Sequence, residues 1–184
     1  QIAIVAVLTV LGAAIQGSVG IGFAVILAPV LLLYAPAFVP GPVVLAAWLL
    51  VTLIAFRERR DVIARDLPPA TLGRILGTIP AAYALVVLPQ SLYELLFGLL
   101  VMLGVILSVL GWHIRPTLRN VFLASIVSGF MSTLSSVGGP PLALLYQNED
   151  GPRIRATISA IFIIGGAVTL TGLWWAGRFH TREL

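Results

Sequence analysis

Charge is absent from the first 56 residues of the chain and from four later windows, 75 to 93, 95 to 114, 120 to 148 and 156 to 177. Inside these windows apolar residues follow one another continuously instead of alternating with polar ones, the pattern of helices rather than of outer-membrane barrel strands. A helix that crosses a membrane needs roughly 20 such residues. On that measure the chain predicts six hydrophobic segments, about 2 to 34, 42 to 56, 70 to 88, 93 to 112, 120 to 146 and 156 to 176, with the proline-rich APAFVPGP of residues 35 to 42 dividing the first window. The expected fold class is an all-α integral membrane protein, a polytopic helical bundle.

Two of the six segments are too long for an upright crossing. A helix over residues 2 to 34 would extend about 50 Å, against a hydrocarbon core of about 30 Å. It contains GSVGIGFAVILAP, Gly17 to Pro29, in which Gly17, Ser18, Gly20 and Gly22 permit unwound backbone and close approach. The segment 120 to 146 contains STLSSVGGPPLALLY, Ser132 to Tyr146, and its tandem Pro140 and Pro141 forbid a continuous helix while suiting the first turn of a new one. Each is therefore expected to be broken or re-entrant, two half-helices meeting at a polar, glycine-rich point. Ser18-Val19-Gly20 recurs as Ser136-Val137-Gly138, and the apolar runs that follow end on Tyr34 and Tyr146. Paired breaks predict an internal repeat, inverted if the long segments fold back as hairpins. The first unit would be residues 1 to 119, a broken segment plus three helices, and the second 120 to 184, a broken segment plus one helix, cut short.

Composition strengthens the membrane assignment. The chain is 59% hydrophobic and 10% charged with a mean hydropathy of +1.07, where soluble proteins carry about 25% charged residues. All 11 basic residues are arginines, set at or near segment ends, so the net charge of +4 reads as topology signal and interfacial anchoring rather than a nucleic-acid stripe. Arg57, Arg59, Arg60 and Arg65 are expected in the cytoplasm, as are Arg115 and Arg119. If 120 to 146 folds back, Arg153 and Arg155 join them; if it crosses, Arg178 and Arg182 do. The absence of cysteine removes disulfides, thiolate ligands and thiol nucleophiles. The first segment is too long for a cleaved signal peptide. A start at Gln1 and a finish just after a helix lead to the expectation of trimmed ends.

Non-helical backbone at membrane depth must be buried in protein or line a cavity, and broken helices at matching places point to a carrier's substrate site. Half-helices starting after Gly22 and at Pro140 are expected to offer free N–H groups and positive dipole ends. Gln16, Ser18, Ser132, Thr133, Ser135 and Ser136 add amide and hydroxyl donors, while Gly138, Gly139, Pro140 and Pro141 shape the second break. No carboxylate lies within a central segment, so the expected guest is a small oxyanion. The plain alternative is that these small residues only let helices pack closely. Arg74 is read as snorkelling to the interface from the first turn of its helix, with an anion-attracting vestibule residue as the alternative. Arg153 and Arg155 are topology charges or anion-pathway residues, and Glu94 is interfacial. His113 and His180 lack companions at metal or catalytic spacing, so no metal, cofactor or catalytic residue is expected.

GSVGIGFAVILAP, SSVGGPPLALLY and RIRATISAIFIIGG together resemble the TauE/SafE family of sulfite exporters, also known as 4-toluenesulfonate uptake permeases. The resemblance covers most of the chain. It implies a multi-pass protein of the bacterial inner membrane that moves sulfite, sulfoacetate, organosulfonates or related sulfur anions. It carries the family's glycine signatures onto Gly17, Gly20 and Gly22, and onto Gly138, Gly139, Pro140 and Pro141. The first cluster has fewer glycines than is usual in the family, and members usually continue for one or two helices past the position of Leu184, so part of the site is expected there.

The expected function is secondary transport of small sulfur-containing anions. Its partners are the anion and the lipid bilayer, with no nucleic acid, and a homo-oligomer is left open. An anion channel, or an accessory membrane subunit without transport activity of its own, is the alternative. An enzyme is not expected: Gly17-Ser18 lacks both a G-x-S-x-G elbow and a histidine base at membrane depth. With no Asp, Glu or His there to relay protons, the anion is expected to follow its own gradient and the membrane potential, or to carry protons itself.

Overall fold

The computed structural model describes residues 2 to 35, 38 to 109 and 114 to 177; His113, Arg178, His180 and Arg182 lie outside the described residues. Among the described residues the chain forms helices and no strand. They are α1 (Ile2–Val19), α2 (Phe23–Tyr34), α3 (Gly41–Arg57), α4 (Leu67–Val87), α5 (Gln90–Val109), α6 (Leu118–Ser135), α7 (Gly139–Tyr146) and α8 (Gly151–Trp175), with 3₁₀ turns at Arg59–Asp61 and Ala64–Asp66. The stretches Ala64–Val87, Gln90–Val109 and Gly151–Trp175 are long and apolar enough to cross a membrane. Both over-long segments break where glycine and proline fall, α1 from α2 across residues 20 to 22 and α6 from α7 across residues 136 to 138.

Helix α4 shows how lipid as solvent sorts the side chains. Leu72, Leu76, Ile79, Tyr83 and Val86 recur at helical spacing and face outward, while Gly73, Arg74, Gly77, Thr78 and Ala81 are buried. Across the bundle the buried set includes Gln16, Ser125, Ser128, Ser132, Thr133, Thr157, Ser159 and Thr169. An all-α membrane bundle follows, apolar outside and polar at its centre. A Cβ at Gly73 or Gly77 would collide with the α6 backbone, and one at Gly129 with the backbone of Arg74. These three glycines let α4 and α6 run side by side at backbone contact, the small-residue packing that replaces a hydrophobic driving force in lipid.

The broken segments fold back on themselves. Gly12 faces Phe23 and Ile15 faces Gly22, so α2 returns alongside α1. The Ser128 hydroxyl donates to the Gly138 carbonyl at 2.6 Å, and Val121 shares a cluster with Leu145 and Tyr146, so α7 returns alongside α6. The two hairpins point in opposite directions. The tip of the first lies by the C-terminus of α3 and the N-terminus of α8, where Arg57 and Arg155 donate to the carbonyls of Gly17 and Ser18. The open end of the second lies by the N-terminus of α4, where the Tyr146 hydroxyl donates to Asp66 at 2.8 Å. Arg155 also reaches Glu58 in the loop between α3 and α4, which places both junctions at one end of the bundle. Arg57, Arg59, Arg60, Arg65, Arg115, Arg119, Arg153 and Arg155 belong to this end.

One boundary differs from expectation in a way that matters. Helix α4 begins at Leu67 rather than near residue 70, with Pro68 and Pro69 in its first turn, where a missing N–H breaks no helical bond. Arg74 therefore stands about 10 Å along the helix, too deep to be a first-turn residue.

Candidate substrate site

The first break is held by an amide. Gly20 and Gly22 adopt φ of 91° and 134°, conformations open to glycine and strained for other residues. Gln16, one turn back in α1, donates from Nε2 to the Gly20 carbonyl at 2.9 Å and accepts the Phe23 N–H on Oε1 at 3.2 Å. Its side chain thus pins the unwound strand and occupies an N–H at the start of α2. The second break turns on Ser136, a non-glycine residue at φ 63°, whose hydroxyl donates to the Pro40 carbonyl at 3.2 Å. The turn is tight enough that a Cβ on Gly138 would meet Ser128 and Ser132, and one on Gly139 would meet Ile21 of the first break. The two breaks therefore touch each other.

A cavity of about 50 Å³ lies between them. Gln16, Gly22, Ser132, Ser136, Gly138 and Gly139 line it from the hairpins, and Trp48, Arg74 and Phe162 from α3, α4 and α8. Among these wall residues Arg74 is the charged one. Its side chain is 0% exposed, which replaces the snorkelling reading: the early start of α4 carries it into the protein, where no interface is within reach. Nη1 donates to the Ser128 hydroxyl at 2.9 Å and Nη2 to the Thr169 hydroxyl at 3.3 Å. The guanidinium lies over the Phe162 ring, 4.7 Å from its centroid. Nε is buried without a partner, and no carboxylate among the described residues forms an ion pair with this side chain. An arginine is always charged. Burying it without a counter-ion is costly, so the cavity wall presents a fixed positive charge whose natural complement is an anion.

The half-helix ends contribute less than the sequence suggests. Gln16 takes the Phe23 N–H, and Pro140 and Pro141 have none to give in the first turn of α7. Pro140 packs against Gly104 of α5 instead.

Several residues named from sequence stand apart from the cavity. Ser18 is exposed and its hydroxyl donates to the Ala14 carbonyl of its own helix at 2.8 Å. Gly17 has open space around it. The hydroxyls of Ser135 and Thr133 donate within α6, to Met131 and Gly129. Arg153 is exposed, 3.8 Å from Glu149. Arg155 lies at the arginine-rich end, gripping Glu58 through Nε and Nη2 at 2.8 to 3.0 Å while donating to Ser18. Burial works to raise the Glu58 carboxyl pKa, but hydrogen bonds and charges from Arg155 and Arg57 outweigh it and hold it below the usual glutamate value.

Conversely, Trp48, Ser128, Phe162, Gly165, Gly166 and Thr169 were not among the site residues expected from sequence, although Phe162, Gly165 and Gly166 lie in the stretch RIRATISAIFIIGG. The signal available for them was the pair Gly165-Gly166 inside α8, which admits Arg74 at the first and Trp48 at the second. Trp48 is fixed there by donating from Nε1 to the Ile163 carbonyl at 2.8 Å.

No curated protein and no solved structure matches the chain. The family described as sulfite exporter TauE/SafE matches residues 4–184, nearly the whole length and including both breaks and the cavity between them. The chain belongs to the TauE/SafE sulfite exporter family.

Proposed function

We propose that this protein is a secondary transporter of small sulfur oxyanions, sulfite foremost, that holds its substrate in the cavity between the two hairpin tips. The observation that carries this reading is Arg74, a buried arginine on the wall of that cavity with no carboxylate partner among the described residues. The family supplies the general activity, movement of sulfur anions across a membrane.

The geometry supports a mechanism. Ser128 accepts from Arg74 and donates to Gly138, so one hydroxyl joins the cation to the turn of the second hairpin. An anion that draws the guanidinium toward itself uncouples Arg74 from that turn, leaving the hairpin held by Ser128 alone. The opposite directions of the hairpins support an inverted repeat, residues 1 to 119 against 120 to 184, in which either tip withdraws to open its own side. The positive-inside rule places the arginine-rich end in the cytoplasm, in keeping with a bacterial inner-membrane protein.

The test is ligand-dependent melting of the purified protein with sulfite, sulfate, sulfoacetate, chloride and a neutral sugar. A sulfur oxyanion should raise Tm of the wild type as its concentration passes its Kd. Arg74→Met, which removes a buried charge and keeps apolar bulk, should fold yet lose both the shift and sulfite flux in proteoliposomes. Equal stabilisation and flux in wild type and Arg74→Met would sink the proposal.

A further inference from the structure

Taking the cavity as the anion site, its charge content speaks to the ionisation state of the guest. Arg74 is the charged side chain lining it. The helix ends that could supplement that charge are curtailed, at α2 because Gln16 occupies the Phe23 N–H and at α7 because its first turn holds Pro140 and Pro141. The remaining polar wall is neutral: Gln16, Ser132 and Ser136, beside Trp48 and Phe162. The site therefore offers one full positive charge, with neutral donors beside it.

We infer that the site takes its substrate as a monoanion, so that sulfite enters as bisulfite and its dianion is refused. This rests on the proposed function above. A monoanion against Arg74 makes a neutral pair in a site walled mostly by apolar residues. A dianion leaves one negative charge unmatched there, and an unmatched buried charge is the costly case. Removing that charge is easy, because sulfite takes up its first proton near neutral pH. Protonation of the substrate thus does what a second cation would do. It also fits a site with no proton-relaying group on its wall among the described residues: the proton crosses on the anion.

The other titratable groups on the elements packed around Arg74 are engaged elsewhere. Just before α4, Asp66 accepts from Tyr146 of α7 and lies 3.3 Å from Arg65. Asp66 precedes Arg74 by eight residues, about 12 Å of helix. Just after α3, Glu58 is held by Arg57 and by Arg155 of α8, and Arg153 of α8 lies near Glu149. Within the described part of α6, Arg119 sits in the first turn at the arginine-rich end.

The test is sulfite flux into proteoliposomes holding the full chain, with equal pH on both sides, from acid to alkaline of the sulfite ionisation, after subtraction of flux in protein-free vesicles. KM expressed as total sulfite should rise about tenfold per pH unit on the alkaline side, while KM expressed as bisulfite and the maximal rate stay constant. Methanesulfonate, a fixed monoanion, should compete equally at every pH, and sulfate, a fixed dianion, should compete at least tenfold more weakly. A total-sulfite KM that is flat or falls with pH, or sulfate competing as well as methanesulfonate, overturns the monoanion inference and leaves the cavity as the anion site. Flux that survives in Arg74→Met, or no protein-dependent sulfite flux at all, removes the underlying site reading and this inference with it.

Discussion

Gly165 of α8 lies directly against the side chain of Arg74, so closely that a single methyl group there would occupy the space of the guanidinium and its neighbouring Cδ. A glycine in mid-helix is ordinarily a loss of about 1 kcal/mol relative to alanine. Here it is the condition for placing a long cation in the centre of the bundle.

Gly165→Ala should therefore displace Arg74 from Ser128 and Thr169. We expect a loss of stability of about 1–3 kcal/mol, the usual range for overpacking, together with loss of anion-dependent melting. Gly98→Ala is the control, because a Cβ at Gly98 of α5 meets nothing within 4 Å. That change should be neutral or stabilising by up to about 1 kcal/mol. Equal melting temperatures for the two variants would show that the Arg74 pocket has slack.

At the arginine-rich end, Glu58 ties Arg155 of α8 and Arg57 of α3 to the carbonyls that close α1. Its carboxyl pKa is depressed in the folded state, so the stability it contributes is present above its unfolded pKa and is lost as pH falls through the lower folded value. Glu58→Gln should lower stability by about 1 kcal/mol at neutral pH. The gap between wild type and variant should narrow on acidification below about pH 4. Melting curves of both proteins from pH 7 to pH 3 check this, and a gap independent of pH would mean that Glu58 acts by packing alone.

Ser136 combines left-handed backbone with a hydroxyl bond to Pro40. The conformation costs a side-chain-bearing residue about 1 kcal/mol or more, and the hydrogen bond returns about 1 kcal/mol. Ser136→Gly loses the bond and relieves the strain, so it should be nearly neutral; Ser136→Ala loses the bond and keeps the strain, so it should melt lower. The ordering of the two variants in a denaturation series decides the matter, and alanine equal to glycine would remove the strain argument.

Much of the fold was legible because glycine and proline act locally. The breaks after Val19 and Ser135 lie where GSVGIG and SSVGGPP put them, since φ values of 91° and 134° need glycine and tandem prolines cannot sit inside a continuous helix. The site was less legible because its parts meet across the chain. Arg74 looked terminal because Pro68 and Pro69 resemble a loop, yet both fit the first turn of α4. Ser128 and Thr169, 54 and 95 residues from Arg74, are single hydroxyls in apolar helices, and nothing local distinguishes them from Ser108 or Thr171, whose hydroxyls only bond back to their own helices. The Tyr146 bond to Asp66 spans 80 residues and depends on the second segment turning back, which the sequence left open.

The gathering of eight arginines at one end of the bundle, against the carboxylates of Glu58, Asp61, Asp66, Glu149 and Asp150, leaves that end with an excess of positive charge among the described residues. Excess positive charge enriches anions near that surface over a Debye length of about 8–10 Å at ordinary salt. Such a field cannot change where an anion gradient comes to rest. For the transport proposed above, loading at low ionic strength should be readier from the arginine face than from the other, and raising the salt concentration should return the two directions toward parity.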